Sequence, residues 1–230
     1  MFIEPICFHN HTLLSDGKYG PAEMVRRCLA KGLKTVALTD HVDSSTIDDV
    51  IRKTVKAAVE LSRHWPIRVI PGCEITHAPK DSLAELVVLA RALGAKIVLV
   101  HGETAAEPVE PGTNRAAIAA GVEILAHPGL IGEQDVRFAI ERGVALELSL
   151  RERQFDGNIH LLTLLKATGL LERVRLVLNA DAHHREQIKC EKTVQAFDEA
   201  CVQPHLNQTE QLNLYRAIAD TMSGLAESCS

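Results

Sequence analysis

Two histidines separated by a single residue lie near the start of the chain. His9 and His11 follow the apolar residues 6–8 and precede Asp16. Side chains at positions i and i+2 of an extended backbone point to the same side, so the two imidazoles are placed to bind one metal ion. Such a pair is weak evidence by itself, because many pairs of this kind hold no metal. The positions of the other polar residues decide whether this pair belongs to a metal site.

Histidines and carboxylates recur directly after the later apolar runs of the sequence. The runs at 35–38, 67–71, 96–100, 122–126 and 174–178 are followed, in order, by Asp40 and His41, Glu74, His101, His127, and Asp181 with His183. So many imidazoles and carboxylates in one cavity would repel one another and lose hydration unless cations satisfied them. The composition of this set predicts more than one ion, of a borderline type such as Zn²⁺, Mn²⁺ or Fe²⁺.

The elements that must position these residues follow a repeating pattern of amphipathic segment, glycine and short apolar run. Glycine commonly ends a helix, and the apolar runs are typical of strands buried on both faces of a parallel sheet. The pattern predicts seven strands, at residues 6–9, 35–38, 67–71, 96–100, 122–126, 144–148 and 174–178. An open doubly wound sheet is the alternative, but no glycine-rich fingerprint follows the first strand. An α/β barrel of seven strands is preferred, with its chemistry at the carboxyl ends of the strands.

The bulk composition is that of one ordinary folded domain. The chain has 230 residues, of which 46% are apolar and 24% charged, and α/β barrels of this length commonly form a single domain. Residues 1–230 are therefore predicted to form one barrel domain. The last segment, residues 204–230, is predicted to be a helix that caps the barrel or joins an oligomer interface. The oligomeric state is left open.

Charge, aromatic content and cysteine spacing restrict the partners and the compartment. The formal net charge is −5 and aromatic residues make up 3% of the chain, so the basic grooves and stacking platforms that bind nucleic acid are not expected. The six cysteines lack CxxC spacing, which favours free thiols in a reducing compartment. No signal peptide and no apolar span of about 18 residues is recognised. We expect a cytoplasmic protein without membrane association.

Six motifs at the predicted strand ends resemble those of one known family. HNHTLLSDG, ALTDH, PGCEIT, VHGE, AHPG and NADAH are similar, in order and spacing, to the motifs of the PHP (polymerase and histidinol phosphatase) family, over about residues 7–185. The resemblance implies a distorted (β/α)7 barrel that holds three divalent ions. Carried over by motif, the ligands would be His9, His11, Glu74 and Asp181 for the first ion, Glu74, His101 and His127 for the second, and Asp16, His41 and His183 for the third.

Two positions depart from the family pattern. Some members have a histidine near the position of Asp16. Many relatives have an aspartate at the position of Cys7, two residues before the first histidine. If that aspartate orients a metal ligand, as outer partners of metal sites do, the first ion is held differently in this chain.

The resemblance also implies an activity, namely hydrolysis of a small phosphomonoester similar to histidinol phosphate, with a role in histidine biosynthesis. A hydroxide bridging two ions would attack phosphorus. Arg151, just beyond the sixth strand, is predicted to clamp the phosphate because a guanidinium binds two oxygens at once; Arg153 and Lys18 are alternatives. Asp40 or His183 would protonate the leaving alkoxide, although Asp40 is equally suited to orient a metal ligand.

Two other functional classes are compatible with the same barrel. One is a phosphodiesterase or nuclease acting on nucleotides or nucleic acid, and the other is a non-catalytic, RNA-binding barrel like the RNase P protein subunit related to this family. The complete ligand set argues against the second class, and the acidic, aromatic-poor composition argues against the first. Of the remaining residues near the rim, Glu103 and His77 are predicted to be structural, His184 to be an exposed neighbour of His183, and Arg115 is a candidate for the pocket.

Overall fold

Parallel strands follow one another around a nearly closed barrel in the computed structural model, which describes residues 5–229. The strands are β1 Ile6–Cys7, β2 Thr35–Leu38, β3 His41–Val42, β4 Arg68–Ile75, β5 Ile97–His101, β6 Ile124–Ala126, β7 Ala145–Ser149 and β8 Leu176–Asn179. Their order is β1-β2-β4-β5-β6-β7-β8, with β3 also paired to β4. This confirms the predicted α/β class and the (β/α)7 barrel. Residues 1–4 and 230 of the predicted domain lie outside the described residues.

One wall of the barrel is a strand in two pieces. β2 pairs with the first half of β4, and β3 pairs with its second half in the same register, which places His41 opposite Glu74. Between the two pieces, the carbonyl of Asp40 accepts a hydrogen bond from the amide of Glu74 at 3.0 Å. The eight strand segments therefore correspond to the seven predicted barrel strands, and the interruption brings His41 beside a carboxylate.

The barrel is closed by few contacts between its first and last strands. A parallel bridge joins Asn10 to Ala182, and the amide of His11 donates to the carbonyl of Ala182 at 2.9 Å. The amide of Phe8 donates to the side-chain oxygen of Asn179 at 2.8 Å. This seam lies directly below the loops that carry the first and last predicted metal ligands.

A buried lysine also joins the two sides of the seam. Lys189 is 1% exposed, and its Nζ donates to the carbonyl oxygens of Ile6 in β1 at 3.0 Å and Leu178 in β8 at 2.9 Å. A buried ammonium group requires such partners, because an unpaired charge in the interior is strongly unfavourable. Lys189 therefore supplies donors at a place where the sheet ladder is incomplete.

Helices cover the outside of the sheet. Those of the described chain are α1 Pro21–Ala30, α2 Ile47–His64, α3 Leu83–Ala92, α4 Thr113–Ala120, α5 Glu133–Arg142, α6 Phe155–Thr168, α7 Glu191–Phe197 and α8 Gln208–Ser228. Gly121, Gly143 and Gly169 end α4, α5 and α6 in the left-handed conformation, as the glycine pattern predicts. None of these helices combines the length and apolar character needed to cross a membrane.

The C-terminal helix α8 packs beside β8 and β1. Its side chains Leu214, Ile218, Met222 and Leu225 are buried. At its start, Asn207 and Glu210 exchange side-chain-to-backbone hydrogen bonds of 2.8 and 3.0 Å, a reciprocal cap that satisfies two free amides. These four side chains are therefore covered within the chain, over the seam of the barrel, whereas Leu212 is 60% exposed.

The core consists of the apolar strand residues together with the inner faces of the helices. Every residue of β5, β7 and β8 is buried, which explains why their sequences lack polar alternation. The six cysteines are free thiols, as their spacing predicts.

Candidate metal centre

The carboxyl ends of the strands meet at one end of the barrel, and the predicted metal ligands lie together there. His9 and His11 follow β1, His41 begins β3, Glu74 lies near the end of β4, His101 ends β5, His127 follows β6, and Asp181 and His183 follow β8. Most are fully buried, whereas Asp16, on the loop after β1, is 54% exposed. The strand order thus converts residues far apart in sequence into one cluster.

Glu74 lies at the centre of this cluster and is fully buried. Its Oε2 is 3.3 Å from His9 Nε2 and 3.6 Å from His11 Nε2. Its Oε1 is 3.4 Å from both His101 Nδ1 and His127 Nε2. His41 Nδ1 lies nearest, 2.8 Å from Oε2. The two oxygens of one carboxylate therefore face different imidazoles, an arrangement suited to a carboxylate shared by two cation sites.

Asp181 completes the set around the first pair of imidazoles. Its Oδ1 is 3.6 Å from His9 Nε2 and 3.2 Å from His11 Nε2. Donor atoms bound about 2.1 Å from one tetrahedral ion lie about 3.4 Å apart. The spacing of Asp181 to the two imidazoles fits a shared ion, and His9, His11 and Glu74 form one of the groups able to hold a metal ion.

Many of the same atoms are buried without any hydrogen-bond partner in the described part of the chain. They are His9 Nε2, His11 Nδ1 and Nε2, both oxygens of Glu74, His101 Nδ1 and His127 Nδ1. A buried polar atom left unpaired costs about 1–3 kcal/mol, so a group of them calls for a ligand. Imidazole nitrogens together with carboxylate oxygens suit Zn²⁺, Mn²⁺ and Fe²⁺. The residues present fit divalent metal ions.

A third group of ligand-type atoms lies at the outer edge of the cluster. Asp16 Oδ2 is 3.0 Å from His183 Nε2, and Asp16 Oδ1 is 3.6 Å from His41 Nε2 and 3.9 Å from His11 Nδ1. These residues form one of the groups able to hold a metal ion. Asp16 therefore brings a carboxylate to the point where some relatives have a histidine.

Two members of the cluster hold backbone conformations that are unfavourable for residues with a side chain. His127 has φ 24° and Asp181 has φ 48°. Strained residues of this kind persist only where the surrounding structure dictates them, and they are common at functional sites. Behind His127, Gly129 packs so closely that a Cβ atom there would lie 2.0 Å from the carbonyl oxygen of Glu103. The loops after β5 and β6 are thereby locked against each other.

A residue outside the predicted ligand set, Glu147 in β7, holds the first imidazole in place. Its Oε1 lies 2.9 Å from His9 Nδ1 and accepts from Asn179 Nδ2 at 3.0 Å. Its Oε2 accepts from the backbone amide of His127 at 3.1 Å. With its Nδ1 held by Glu147, the His9 ring turns its Nε2 toward Glu74. The sequence signal was a single carboxylate within the apolar run 144–148.

Cys7 does not replace the aspartate that many relatives have at its position. The thiol is fully buried, and its Sγ lies 3.7 Å from the carbonyl oxygen of His9 and from Asn10 Oδ1. The contact to the His9 ring comes instead from Glu147 on β7. An outer carboxylate is thus present, supplied by a different strand.

Glu147→Gln is expected to weaken binding of the first metal ion by about 10- to 100-fold, the usual effect of losing an outer partner of a ligating histidine. Glutamine keeps one acceptor but loses the charge and presents an NH₂ group to His9 or His127. The metal content should be measured after dialysis against graded free Zn²⁺ or Mn²⁺. Glu141→Gln, on exposed α5, is the matched control. Equal metal affinity in the two variants would contradict the assignment.

Asp40 supports the loop after β1. It is fully buried; its Oδ1 accepts from Thr12 N at 2.6 Å and Ser15 Oγ at 2.8 Å, and its Oδ2 accepts from Thr12 Oγ1 at 2.9 Å. Burial raises the pKa of Asp40 despite these hydrogen bonds. Of the two roles predicted for Asp40, this geometry favours positioning: both oxygens hold the loop that carries Asp16, which leaves proton donation to another group.

Arg151 lies against the cluster. Its Nη1 donates to Asp181 Oδ2 at 2.9 Å and lies 3.2 Å from His183 Nδ1. The side chain is 13% exposed. The guanidinium is therefore fixed beside the carboxylate of one predicted ligand, within the mouth of the barrel.

The other candidates near the rim have different partners. Lys18 is exposed, and the ring of His77 lies 5.8 Å from the ring of His101. The remaining contacts pair Arg153 with Glu107, Arg115 with Asp135, His184 with Glu186, and Glu103 with the amides of Gly112 and Asn114. Arg115 therefore points to the carboxylate of α5 rather than into the pocket, and Glu103 has the structural role predicted for it.

The charges of the cluster shift the pKa values of its members in opposite directions. Burial disfavours every charged form, but Glu147, Glu74 and Asp181 together raise the pKa of His9 well above 6.5. The imidazoles in turn hold the pKa values of Glu74 and Asp181 well below their usual range. Burial and the neighbouring His41 lower the pKa of His11 to about 3. The metal-free cluster therefore keeps its carboxylates charged and shares protons among some of its imidazoles.

Metal binding is expected to release protons and to weaken in acid. Glu74 raises the pKa values of His41 and His101 above 6.5 despite their burial, so these rings stabilise the metal-free fold below pH 6.5 and lose that contribution as the pH rises through the raised values. A metal ion must displace these protons, and affinity should fall up to about ten-fold per pH unit for each proton released. Calorimetry in buffers of different ionisation enthalpy measures the released protons. A metal affinity that does not change between pH 6 and pH 8 would disprove the expectation.

Comparison with known proteins agrees with this geometry. Residues 8–223 match the model of the PHP domain. An uncharacterized protein of Methanocaldococcus jannaschii is 39% identical over 183 residues, which cover 79% of this chain and 82% of that protein. The DNA polymerase/3'-5' exonuclease PolX of Bacillus subtilis is 27% identical over 215 residues, covering 80% of this chain and 35% of PolX.

Solved structures with the same fold are more distant in sequence. The histidinol phosphate phosphatase of Lactococcus lactis, complexed with zinc, L-histidinol and phosphate, has a TM-score of 0.58 at 14% identity and covers 88% of this chain and 94% of its own. The N6-methyl-AMP deaminase of Arabidopsis thaliana has a TM-score of 0.57 at 13% identity, over 90% and 76% of the two chains. These likenesses show the barrel. Since the family model spans nearly the whole sequence and its motifs converge at the mouth of that barrel, the chain belongs to the PHP domain family.

Proposed function

We propose that the protein is a metal-dependent phosphatase that hydrolyses a small phosphomonoester similar to histidinol phosphate. The observation that carries the proposal is Glu74, whose two buried oxygens have no hydrogen-bond partner among the described residues and face different imidazoles. Membership of the PHP domain family supports the broader class of metal-dependent phosphoesterases. The fold of a histidinol phosphate phosphatase favours a monoester, and with it a role in histidine biosynthesis.

The cluster provides ligands for two to three divalent ions of Zn, Mn or Fe. The proposed sets are His9, His11, Glu74 and Asp181; Glu74, His101 and His127; and Asp16, His41 and His183. Such ions, when bound, lower the pKa of water toward neutrality and offset the negative charge of phosphoryl oxygens. A carboxylate shared by two sets, as Glu74 is here, fixes the distance between them.

Arg151 is the residue proposed to hold the phosphate. Its Nη1 is anchored on Asp181, and the other nitrogens of a planar guanidinium can bind two oxygens of one phosphoryl group. This anchoring orients the side chain before substrate binds, so little conformational entropy is lost. The phosphate is thereby placed beside the carboxylates and imidazoles of the cluster.

His183 is proposed to protonate the leaving alkoxide. It is 13% exposed at the rim, and its Nε2 faces Asp16 Oδ2 at 3.0 Å, so a proton on this atom lies at the edge of the cavity where a leaving group departs. The same nitrogen cannot hold a proton and a third ion together. Full activity with two ions per chain would therefore leave this nitrogen free to donate the proton.

A phosphodiesterase or 3'-5' exonuclease is the second candidate, favoured by the match to PolX over 215 residues. The overall charge of −5 opposes it, because a nucleic-acid strand binds through basic surfaces. The described chain brings Arg151 to the cluster but pairs Arg153 with Glu107. A single fixed guanidinium suits one terminal phosphate better than an extended strand.

The test is a substrate panel on protein purified without chelators, with the bound metal measured. The panel comprises histidinol phosphate, other phosphomonoesters, bis-p-nitrophenyl phosphate and an oligonucleotide, each with added Mn²⁺ or Zn²⁺. We expect turnover of monoesters at least about 100-fold above that of diesters, lost on chelation and restored by metal. A preference for the oligonucleotide would establish the second candidate. Fewer than two ions per active chain would refute a shared-carboxylate site.

A further inference from the structure

His77 has a backbone conformation that a residue with a side chain adopts only at a cost. Its φ is 55°, in the left-handed region that favours glycine. Among the described residues other than glycine, two more have a positive φ, His127 and Asp181, and both belong to the candidate metal centre. Glycine would follow the same turn after β4 without this strain. The fold therefore gains from a side chain at position 77 only through what that side chain contacts.

Contacts within the described chain do not account for the imidazole of His77. The side chain is 56% exposed, and its Nε2 is 4.0 Å from Glu107 Oε1, which is too far for a hydrogen bond. Glu107 is paired instead with Arg153, whose Nη2 lies 3.0 Å from Glu107 Oε2. The charges of this pair offset each other, so Glu107 does not keep an anion away from the ring. The nitrogens of His77 are therefore open to a ligand from solution.

The ring of His77 lies beside one of the proposed metal ligands. Its centroid is 5.8 Å from that of His101, and His101 Nδ1 is 3.4 Å from Glu74 Oε1 at the centre of the cluster. His101 is 2% exposed, whereas more than half of the His77 side chain is open to solvent. His77 is therefore an accessible imidazole at the mouth of the barrel, next to the buried ligands.

His77 and Arg151 lie on opposite sides of the cluster. His77 follows β4 and Arg151 follows β7, which are the third and sixth of the seven strands in their order around the barrel. Arg151 contacts Asp181, and His77 lies against His101. A phosphoryl group held over the cluster would therefore have the guanidinium on one side and the imidazole on the other.

We propose that the imidazole of His77 donates a hydrogen bond to a phosphoryl oxygen of the substrate, on the side of the metal centre opposite Arg151. This inference rests on the proposed phosphatase function and gives His77 a binding role in place of the structural one predicted from the sequence. The ligand class is a phosphate monoester or inorganic phosphate, since both present oxygens that accept hydrogen bonds. A second anchor restricts the rotation of the phosphoryl group that a single guanidinium would leave free.

The test measures binding of inorganic phosphate to the metal-loaded protein by calorimetry, together with KM and kcat for the best monoester. His77→Gly removes the imidazole and should raise the phosphate Kd about ten-fold, the effect of losing one hydrogen bond to a charged group. KM should rise by a similar factor with kcat little changed, because this contact is already made to the bound substrate. His77→Phe keeps a ring beside His101 but lacks the donor, and should weaken phosphate binding equally. His64→Phe, at an exposed histidine that ends α2, is the control and should leave all three constants unchanged.

Stability and metal content separate this role from a structural one. The urea midpoint of His77→Gly should equal or exceed that of the wild type, because glycine adopts a positive φ without steric cost. The number of metal ions per chain should stay the same, because His77 is not one of the proposed ligands. A lower midpoint, a loss of metal or an unchanged phosphate Kd in either His77 variant overturns the proposal, as does a metal-loaded wild type that binds no phosphate. If the wild type binds phosphate but hydrolyses no monoester, the proposed function fails and the phosphate Kd values still decide the role of His77.

Discussion

Glu74→Gln is expected to lower kcat by at least about 100-fold and to remove most of the bound metal. Removal of a residue that only orients a metal ligand typically lowers activity or metal affinity about 10- to 100-fold. Glu74 belongs to the proposed ligand set itself, so the loss of activity should be at least as large. Its two oxygens lie 3.3–3.6 Å from His9, His11, His101 and His127. Glutamine replaces one oxygen by an NH₂ group, which cannot bind a cation.

The effect of Glu74→Gln is measured as the number of metal ions per chain and as kcat for the best monoester of the panel. Glu141→Gln, an exposed exchange of the same chemistry on α5, controls for the loss of one negative charge. Circular dichroism should show an intact fold, since glutamine has the same size and the barrel core does not depend on this side chain. A variant that retains both its metal and its activity would refute the central position of Glu74.

Lys189→Met is expected to lower the free energy of unfolding by about 2–4 kcal/mol. The substitution keeps the length and apolar stem of the side chain but removes the ammonium group that binds the carbonyls of Ile6 and Leu178. Two buried acceptors are then left unpaired, each at a cost of about 1–3 kcal/mol. The loss falls on the β1–β8 seam, where the strands share few other hydrogen bonds.

Urea unfolding of the metal-free protein measures this change, with Lys192→Met on exposed α7 as the control. The control should differ from the wild type by less than about 0.5 kcal/mol, because isolated surface substitutions have small effects. If Lys189→Met changed the free energy of unfolding as little as Lys192→Met, the barrel would close through its backbone contacts alone. The metal-free form is required because bound ions add their own stabilisation.

The apolar runs in the sequence were sufficient to locate the strands, because each run is buried on both faces of the sheet. Val98, Leu99 and Val100 are apolar in succession, and the structure buries all of them in β5. A parallel strand covered by helices needs no polar face, so its sequence differs clearly from that of an amphipathic helix. The exact ends were less predictable: β4 extends to Ile75, so Glu74 lies inside the strand instead of after it.

The functional supports were harder to recognise because they are contacts between distant parts of the chain. Glu147 contacts His9 across 138 positions of sequence, and Asp40 holds the loop of Ser15 from the neighbouring strand. No local pattern specifies which of several buried carboxylates meets an imidazole. The family pattern places an aspartate at the position of Cys7 to orient a metal ligand. In this chain the carboxylate that contacts His9 comes from a different strand, as Glu147.

The sequence by itself determined the repeating strand–helix pattern, the polar residues that follow each strand and the family to which they belong, because periodicity and motif spacing are local properties. Only the tertiary structure decided how those residues are used: the contacts of the two Glu74 oxygens, the hydrogen bond between Glu147 and His9, and the seam between β1 and β8 that Lys189 joins. These depend on strand order, barrel closure and side-chain packing, which bring together groups that no local interaction connects.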